Sequence, residues 1–133
     1  MTVEYIKNLL AQCHIINGYN IGVDYLASQE NSLSIIPSGE EKIIKEYCDG
    51  EKLLSYGFSI VVRLCWAMGS NDKNREITQG ISRWLKGLSE NDFYRYNNIC
   101  PQKIVVDKDF IVAADDVKSI RYEMKCSIEY LKK

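Results

Sequence analysis

The sequence lacks long apolar runs, and no stretch approaches the roughly 20 apolar residues that a helix needs to cross a bilayer. Its opening residues, Met1 to Tyr5, also lack the basic start and the small-residue cleavage site of a signal peptide. We therefore expect a protein without a membrane segment that is made and kept in a cytoplasm.

An excess of charge is missing as well. The chain has 17 basic and 18 acidic residues, and its formal net charge is −1. Binding to phosphates irrespective of base sequence depends on many Lys and Arg side chains, so nucleic-acid binding of that kind is expected to be weak. The content of 46% apolar and 26% charged residues is that of a folded globular domain rather than a disordered chain.

Residues for catalysis are scarce. His14 is the only histidine, and it lies at the end of a predicted helix, where a histidine is more often a surface residue than part of a catalytic triad. Neither of the glycine-rich patterns that hold phosphates, GxGxxG and GxxxxGK[ST], occurs in the sequence. We therefore predict a protein that is not an enzyme and binds no cofactor.

Metal ligands do not cluster either. The cysteines number five and none has a CxxC partner, so the sequence indicates neither a disulfide framework nor a zinc site. Cys13, Cys65 and Cys126 lie in apolar patterns and are predicted to be small buried residues. Asp107 and Asp109 would share one face of a strand and could bind a divalent cation, but further ligands are missing. We expect two solvated carboxylates and no metal site.

The apolar periodicity predicts two helices and several strands in one domain, residues 1–133. The helices are a first one over residues 3–13 and a central one with Ile77, Ile81, Trp84, Leu85 and Leu88 on its apolar stripe. Strand-like segments are predicted at 21–26, 33–37, 42–47, 54–64, 104–113 and 120–130, with a loop over 89–102 and a turn at 114–116. Because tight turns join the strands, we predict an α+β fold in which an antiparallel sheet of about four to five strands packs with both helices.

Two segments have the composition of contact surfaces. Asp49-Gly50 is the strongest turn signal, and it predicts a hairpin with a type I′ turn in which Gly50 has a positive φ. Tyr94 and Tyr96, which flank Arg95, could stack on bases or form an anchor-rich surface for a protein. The lack of basic excess favours the protein partner.

Several segments follow one another in a particular order and spacing. They are Leu33-Ser34-Ile35-Ile36-Pro37, Lys45 to Gly50, Tyr56-Gly57-Phe58, a helix ending at Trp84-Leu85, and Arg121-Tyr122 followed by Cys126 and Tyr130. In this order the chain, from about Leu26 to its C-terminus, resembles the small minor capsid or tail-completion proteins of phages of Gram-positive bacteria and of phage-tail-like particles. Residues 71–75 and 93–99 depart from the pattern of that family.

The resemblance implies a tail terminator, a structural protein of virion assembly. Such proteins form a ring, typically hexameric, on the last ring of tail-tube subunits at the head-proximal end. The ring stops tube growth, offers a surface to the head connector or collar, and contacts the sheath in contractile tails. In a headless particle, a tailocin, it would be a simple cap. DNA would pass through its lumen without specific binding, and the protein would leave the host cytoplasm as part of the particle.

The Asp49-Gly50 hairpin is the predicted contact between subunits or with the tube. Its candidate residues are Lys45, Tyr47, Asp49, Gly50, Glu51 and Lys52. Two alternatives stay open at this point. One is a head–tail joining or connector protein on the head side of the same junction, and the other is a small host-directed protein-binding module that shares the α+β topology.

Overall fold

The computed structural model describes residues 3–16, 19–23, 32–65, 71–95, 98–115 and 119–133. Within these residues the chain forms two α-helices, five strands and two short 3-10 turns. The helices are α1 (Val3–Leu10) and α2 (Asn71–Lys86), and the 3-10 turns are His14–Ile16 and Glu90–Asp92. The strands are β1 (Asn20–Val23), β2 (Ser32–Glu46), β3 (Lys52–Cys65), β4 (Ile99–Asp115) and β5 (Ser119–Lys132).

The five described strands form one sheet in the order β1-β2-β3-β5-β4. All neighbours are antiparallel except β1, which runs parallel to the start of β2 with Asn20 beside Ser32 and Val23 beside Ile35. The prediction of an α+β fold is confirmed, and the prediction of a wholly antiparallel sheet is wrong at β1. The direction of pairing depends on the path of the chain between two strands, which side-chain alternation does not encode. Residues 24–26 of the predicted extended segment lie outside the described residues.

One face of the sheet forms the core. Along β3 the alternate residues Leu54, Phe58 and Ile60 are buried, and they stand opposite Tyr130, Cys126 and Met124 of β5, which are buried as well. Each large apolar side chain removed from water in this way contributes about 1.5–3 kcal/mol to folding. On the opposite face of β3, Ser59 and Val61 are buried as well, so the strand is buried along one face and in part on the other.

Both helices cover that buried face. Helix α1 buries Tyr5, Ile6, Leu9 and Leu10, while Ile81 and Leu85 are the fully buried residues of α2. Helix α1 ends at Leu10, three residues before the predicted end, although Cys13 is still buried. A Cβ atom on Gly80 would lie only 2.8 Å from Cδ1 of Ile15, so the glycine lets α2 pass close to the 3-10 turn after α1.

The outer strands are longer than predicted because they contain bulges. The predicted strands 33–37 and 42–47 are a single strand, β2, with breaks in pairing between Pro37 and Glu41 and between Ile43 and Lys45. Strand β4 begins at Ile99 and continues through Asp115, so residues 99–102 are not loop and residues 114 and 115 are not turn. Four register shifts interrupt β4. An extra residue moves the following side chains to the other face, which erases the period of two that a sequence search relies on.

Two of the three cysteines that were predicted to be buried have side chains that the structure describes, and both pack in the interior. Cys13 and Cys126 are buried, whereas the side chain of Cys65 lies outside the described set. Burial raises the pKa of the Cys126 thiol to about 12, and the negative charges of Asp107 and Asp109 act in the same direction. Burial likewise raises the pKa of Cys13. Both thiols are therefore protonated at neutral pH and act as small apolar side chains.

Candidate interaction surface

The turn between β2 and β3 has a three-residue loop, Cys48-Asp49-Gly50. The Gly50 N–H donates to the Tyr47 carbonyl at 3.0 Å, and the Tyr47 N–H donates to the Glu51 carbonyl at 2.8 Å. Gly50 has a φ of +88°, as predicted. This bonding pattern is that of a type I turn followed by a left-handed glycine in a bulge, so the predicted type I′ turn is wrong. The Glu51 N–H also donates to the Asp49 carboxylate at 3.0 Å, which fixes the loop.

The six residues predicted as an interface lie together at this end of the sheet. We call residues 41–52 the hairpin tip; its loop extends beyond Lys52, which pairs with Lys132 near the end of β5. Every residue from 41 to 50 is exposed, and Glu51 and Lys52 are half-buried. The Lys45 ammonium lies 5.1 Å from the centre of the Tyr47 ring, within the range of a cation–π interaction.

The sequence prediction missed the two most apolar residues of the hairpin tip. Ile43 is 58% exposed and Ile44 is 50% exposed, and Tyr47 beside them is 38% exposed. The break in pairing between Ile43 and Lys45 makes room for two adjacent isoleucines that both face water. The signal that could have found them is the pair itself, because two consecutive apolar residues in a half-exposed strand cannot both point to the core.

Glu41, at the base of the hairpin tip, interacts electrostatically with a core residue. The Tyr130 hydroxyl lowers the pKa of Glu41, and this effect outweighs the partial burial that would raise it. Tyr130 is fully buried, whereas Glu41 is exposed. The base of the tip thus lies next to the buried centre of the sheet, while its outer part is exposed.

A second open surface lies at the opposite end of the sheet. A groove of about 620 Å³ separates α2 from the outer strands there, and it is named the α2 groove below. Arg75 and Gln79 of α2 form one wall, Phe110 and Val112 of β4 the other, with Ile120 and Tyr122 of β5 on the floor. Val112 is 58% exposed, and the neighbouring Ile111 is 47% exposed. The sequence prediction named none of these as contact residues.

Asp109 connects α2 to β4 beside this groove. Its carboxylate accepts hydrogen bonds from the Ser82 hydroxyl and the Lys86 ammonium, each at 3.1 Å, and from the Phe110 N–H at 2.8 Å. Burial acts to raise the pKa of Asp109, but these hydrogen bonds and the charge of Lys86 outweigh it and leave the pKa below its usual value. The groove wall is thus fixed by an ionised carboxylate.

Loss of this carboxylate is expected to change how stability depends on pH. A lowered pKa in the folded state contributes stability that is present above the ordinary value of 3.8 and is lost as the pH falls below it. Asp109→Asn should therefore be less stable than the wild type at neutral pH and close to it at about pH 3, as measured by urea unfolding. Asp107→Asn, on the same strand but away from α2, is the matched control. The expectation would be contradicted if the free energies of unfolding of Asp109→Asn and wild type differed by the same amount at both pH values.

The other face of the sheet has a polar groove of about 670 Å³. Its lining includes Ser55, Gly57, Ser59 and Ser127 with Lys125, and Asp107 lies at its side. Asp107 therefore lines this groove, whereas Asp109 bonds to α2, and the expected common face of the two carboxylates does not arise because a bulge separates Val106 from Lys108. Within the described residues, no three His, Cys, Asp or Glu side chains are grouped as they would be around a metal ion.

The remaining candidates for chemistry are placed apart from both grooves. His14 is exposed in the 3-10 turn after α1. The Tyr94 ring packs against Tyr5 with 4.5 Å between ring centres, and the Tyr5 hydroxyl donates to the Tyr94 carbonyl at 2.9 Å. Tyr94 thus connects this segment to α1, while Tyr96 and Asn97 lie outside the described residues. Among the helices that the structure describes, none has the length and apolar character needed to cross a membrane.

Comparison with known proteins returned no relative from which a role could be transferred: no protein-family model matches the chain, and no curated protein matches it. The surfaces described above and the resemblance noted in the sequence are therefore the basis for a functional proposal.

Proposed function

We propose that this chain is a structural assembly protein of the tail-terminator type. In this role it forms a ring that caps the head-proximal end of a phage tail tube or of a phage-tail-like tube. The ring stops growth of the tube and gives the head connector or the collar its attachment surface. The tube protein is a direct partner, as is the sheath where the tail contracts.

The observation that carries the proposal is the hairpin tip. Three large apolar side chains, Ile43, Ile44 and Tyr47, stand in water among charged neighbours at one corner of the sheet. Burying such residues against another protein is favourable, and clusters of this kind on a monomer mark contact sites. A protein that works by stacking on copies of itself and on a tube end needs surfaces of this kind.

The charge of the chain supports the same role. A ring at the end of a tail tube has a lumen through which DNA slides, and a strongly basic wall would hold phosphates. The formal net charge of −1 suits a wall that does not bind DNA. The proposal includes no catalysis and no cofactor, since a terminator acts through its surfaces alone.

Deletion of the gene followed by electron microscopy of the particles tests the proposal. We expect tails of irregular and excessive length, or tails that do not join heads, and restoration by the wild-type gene supplied in trans. Tails of normal length that attach to heads would overturn it. Gold labelling of the protein in intact particles separates the alternatives: a terminator labels the end of the tube, a connector labels the head side, and a host-directed module labels neither.

A further inference from the structure

The hairpin tip and the α2 groove lie at diagonally opposite corners of the sheet. The tip belongs to the β2 edge, next to Leu54 at the start of β3, while the groove lies at the β4 edge, near Ile120, which pairs with Leu64 at the other end of β3. From Leu54 to Leu64 the strand spans about 33 Å at 3.3 Å per residue. A tip of this size cannot reach the groove of its own chain, so any contact between the two must join different molecules.

The two surfaces match in their apolar character. The tip offers Ile43 and Ile44, and the groove offers Val112 on its wall and Ile120 on its floor. A volume of about 620 Å³ accommodates several side chains of this size. Val112 and the tip isoleucines are each at least half exposed in the single chain, so their mutual burial removes apolar surface from water on both molecules.

The two surfaces are also complementary in charge. The hairpin tip has four acidic and three basic side chains, and α2, which has four basic and two acidic ones, contributes Arg75 to the groove lining. Within the described part of the chain, no ion-pair partner is found for the Arg75 guanidinium on the groove wall or for the carboxylates of Glu46 and Glu51 on the tip. In the groove lining Arg75 is the cation and Asp109 the anion. The Asp109 carboxylate already accepts hydrogen bonds from Ser82 and Lys86, so Arg75 is the charge left to attract a carboxylate of the tip and to set the orientation of docking.

Pairing of strand edges between subunits is less well supported by the same residues. Within the described residues, β1 covers β2 only from Ser32 to Ile35, so the rest of the outer edge of β2 has no neighbour there. However, that edge has Pro37, two breaks in pairing, and the charged residues Lys42 and Lys45. Proline, bulges and lysine are the features by which natural edge strands avoid adding another strand. Contact through side chains at the tip fits this edge better.

We infer that the hairpin tip of one copy docks in the α2 groove of a second copy of this chain. The inference rests on the proposed ring and names the two surfaces that would close it. Because tip and groove differ, each docked copy leaves one tip and one groove open for the next. A contact of this kind continues until the rotation between copies closes a ring.

Two variants, each blocked on one surface, provide the decisive experiment. The first is Ile43→Asp combined with Ile44→Asp, which blocks the tip, and the second is Val112→Asp, which adds a negative charge to the groove wall. All three positions are exposed, so circular dichroism and thermal unfolding should show that both variants fold. Analytical ultracentrifugation then compares wild type, each variant alone and an equal mixture of the two.

The expected result is a ring for the wild type, monomers for each variant alone, and a species of two chains in the mixture. In the mixture one intact tip meets one intact groove, and both remaining surfaces are blocked, so assembly stops at the pair. A mixture that stays monomeric, or variants that still form wild-type rings, would overturn the docking inference while leaving the ring proposal standing. A wild-type chain that stays monomeric even at millimolar concentration would count against both.

A charge exchange tests the orientation of docking. Arg75→Glu should weaken association by about tenfold, and Glu46→Lys combined with Glu51→Lys should do the same, because each change places like charges together. Joining all three changes in one chain should restore most of the lost affinity. As a matched control, Arg83→Glu reverses a charge on the same helix but does not line the α2 groove, and it should leave association close to that of the wild type. Loss of affinity in the combined variant equal to the sum of the two separate losses would refute the pairing.

Discussion

Replacing Ile60 with alanine should lower the free energy of unfolding by about 2–5 kcal/mol, the range for removing a large aliphatic side chain from a packed core. Ile60 is fully buried in the middle of β3, where it stands opposite Ile35 on one side and Met124 on the other. Both neighbouring strands are themselves held in the sheet, so the space left by the side chain cannot close easily. Urea unfolding followed by circular dichroism measures the loss.

Ile43→Ala is the matched control, because it removes the same atoms from an exposed position of the neighbouring strand. Its expected effect on the free energy of unfolding is within about 0.5 kcal/mol. In an assembly assay Ile43→Ala should have the larger effect, because Ile43 lies in the hairpin tip. Ile60→Ala should have the smaller effect there, because Ile60 touches no exposed surface. A large loss of stability for Ile43→Ala would mean that the tip is part of the folded core rather than a contact surface.

Gly50→Val is expected to destabilise the hairpin tip by about 1–3 kcal/mol, the range for a residue held in a sparsely populated backbone conformation. At a φ of +88° a β-branched side chain is strained, although a Cβ atom at this position would meet no other atom within 4 Å. The cost is therefore one of backbone conformation and not of collision. Thermal unfolding measures it, and the Tyr47 ring, next to the turn, is a local probe by NMR.

Gly50→Asn separates the conformational cost from the loss of a glycine, since asparagine enters the left-handed region more readily than valine. We expect Gly50→Asn to lie between wild type and Gly50→Val in stability, and in the proposed ring assembly it should behave as the wild type. Rings that assemble normally from Gly50→Val would show that the shape of the turn is not needed for the contact. Equal stability of all three chains would contradict the strain argument itself.

The regular elements of this fold could be predicted from the sequence because their patterns are unbroken. The alternation from Leu54 to Leu64 and from Ile120 to Tyr130 identified β3 and β5, and Asp49-Gly50 identified the turn. The outer strands were predicted less well, since bulges in β2 and β4 shift the alternation at several points. The parallel direction of β1 could not be predicted, because four residues contain no information about the path that leads to them.

The candidate surface was predicted only in part, and the reason is again physical. Polar and turn residues such as Lys45 and Gly50 predict an exposed hairpin from the sequence alone. Ile43, Ile44 and Val112 look like core residues. The adjacent isoleucines indicate that one of the two faces water, but only the three-dimensional arrangement shows that both of them and Val112 do. The α2 groove combines residues from a helix and two strands that are far apart in the chain, so no local pattern marks it.

The position of β3 in the sheet has a consequence for how the folded chain opens. This strand is paired along nearly its whole length, with β5 on one side and β2 on the other. Its amide protons should therefore exchange with heavy water only when the entire domain unfolds, whereas those of the hairpin loop exchange through small local openings. A chain with such a gradient can change the shape of its edges while its centre keeps the same structure.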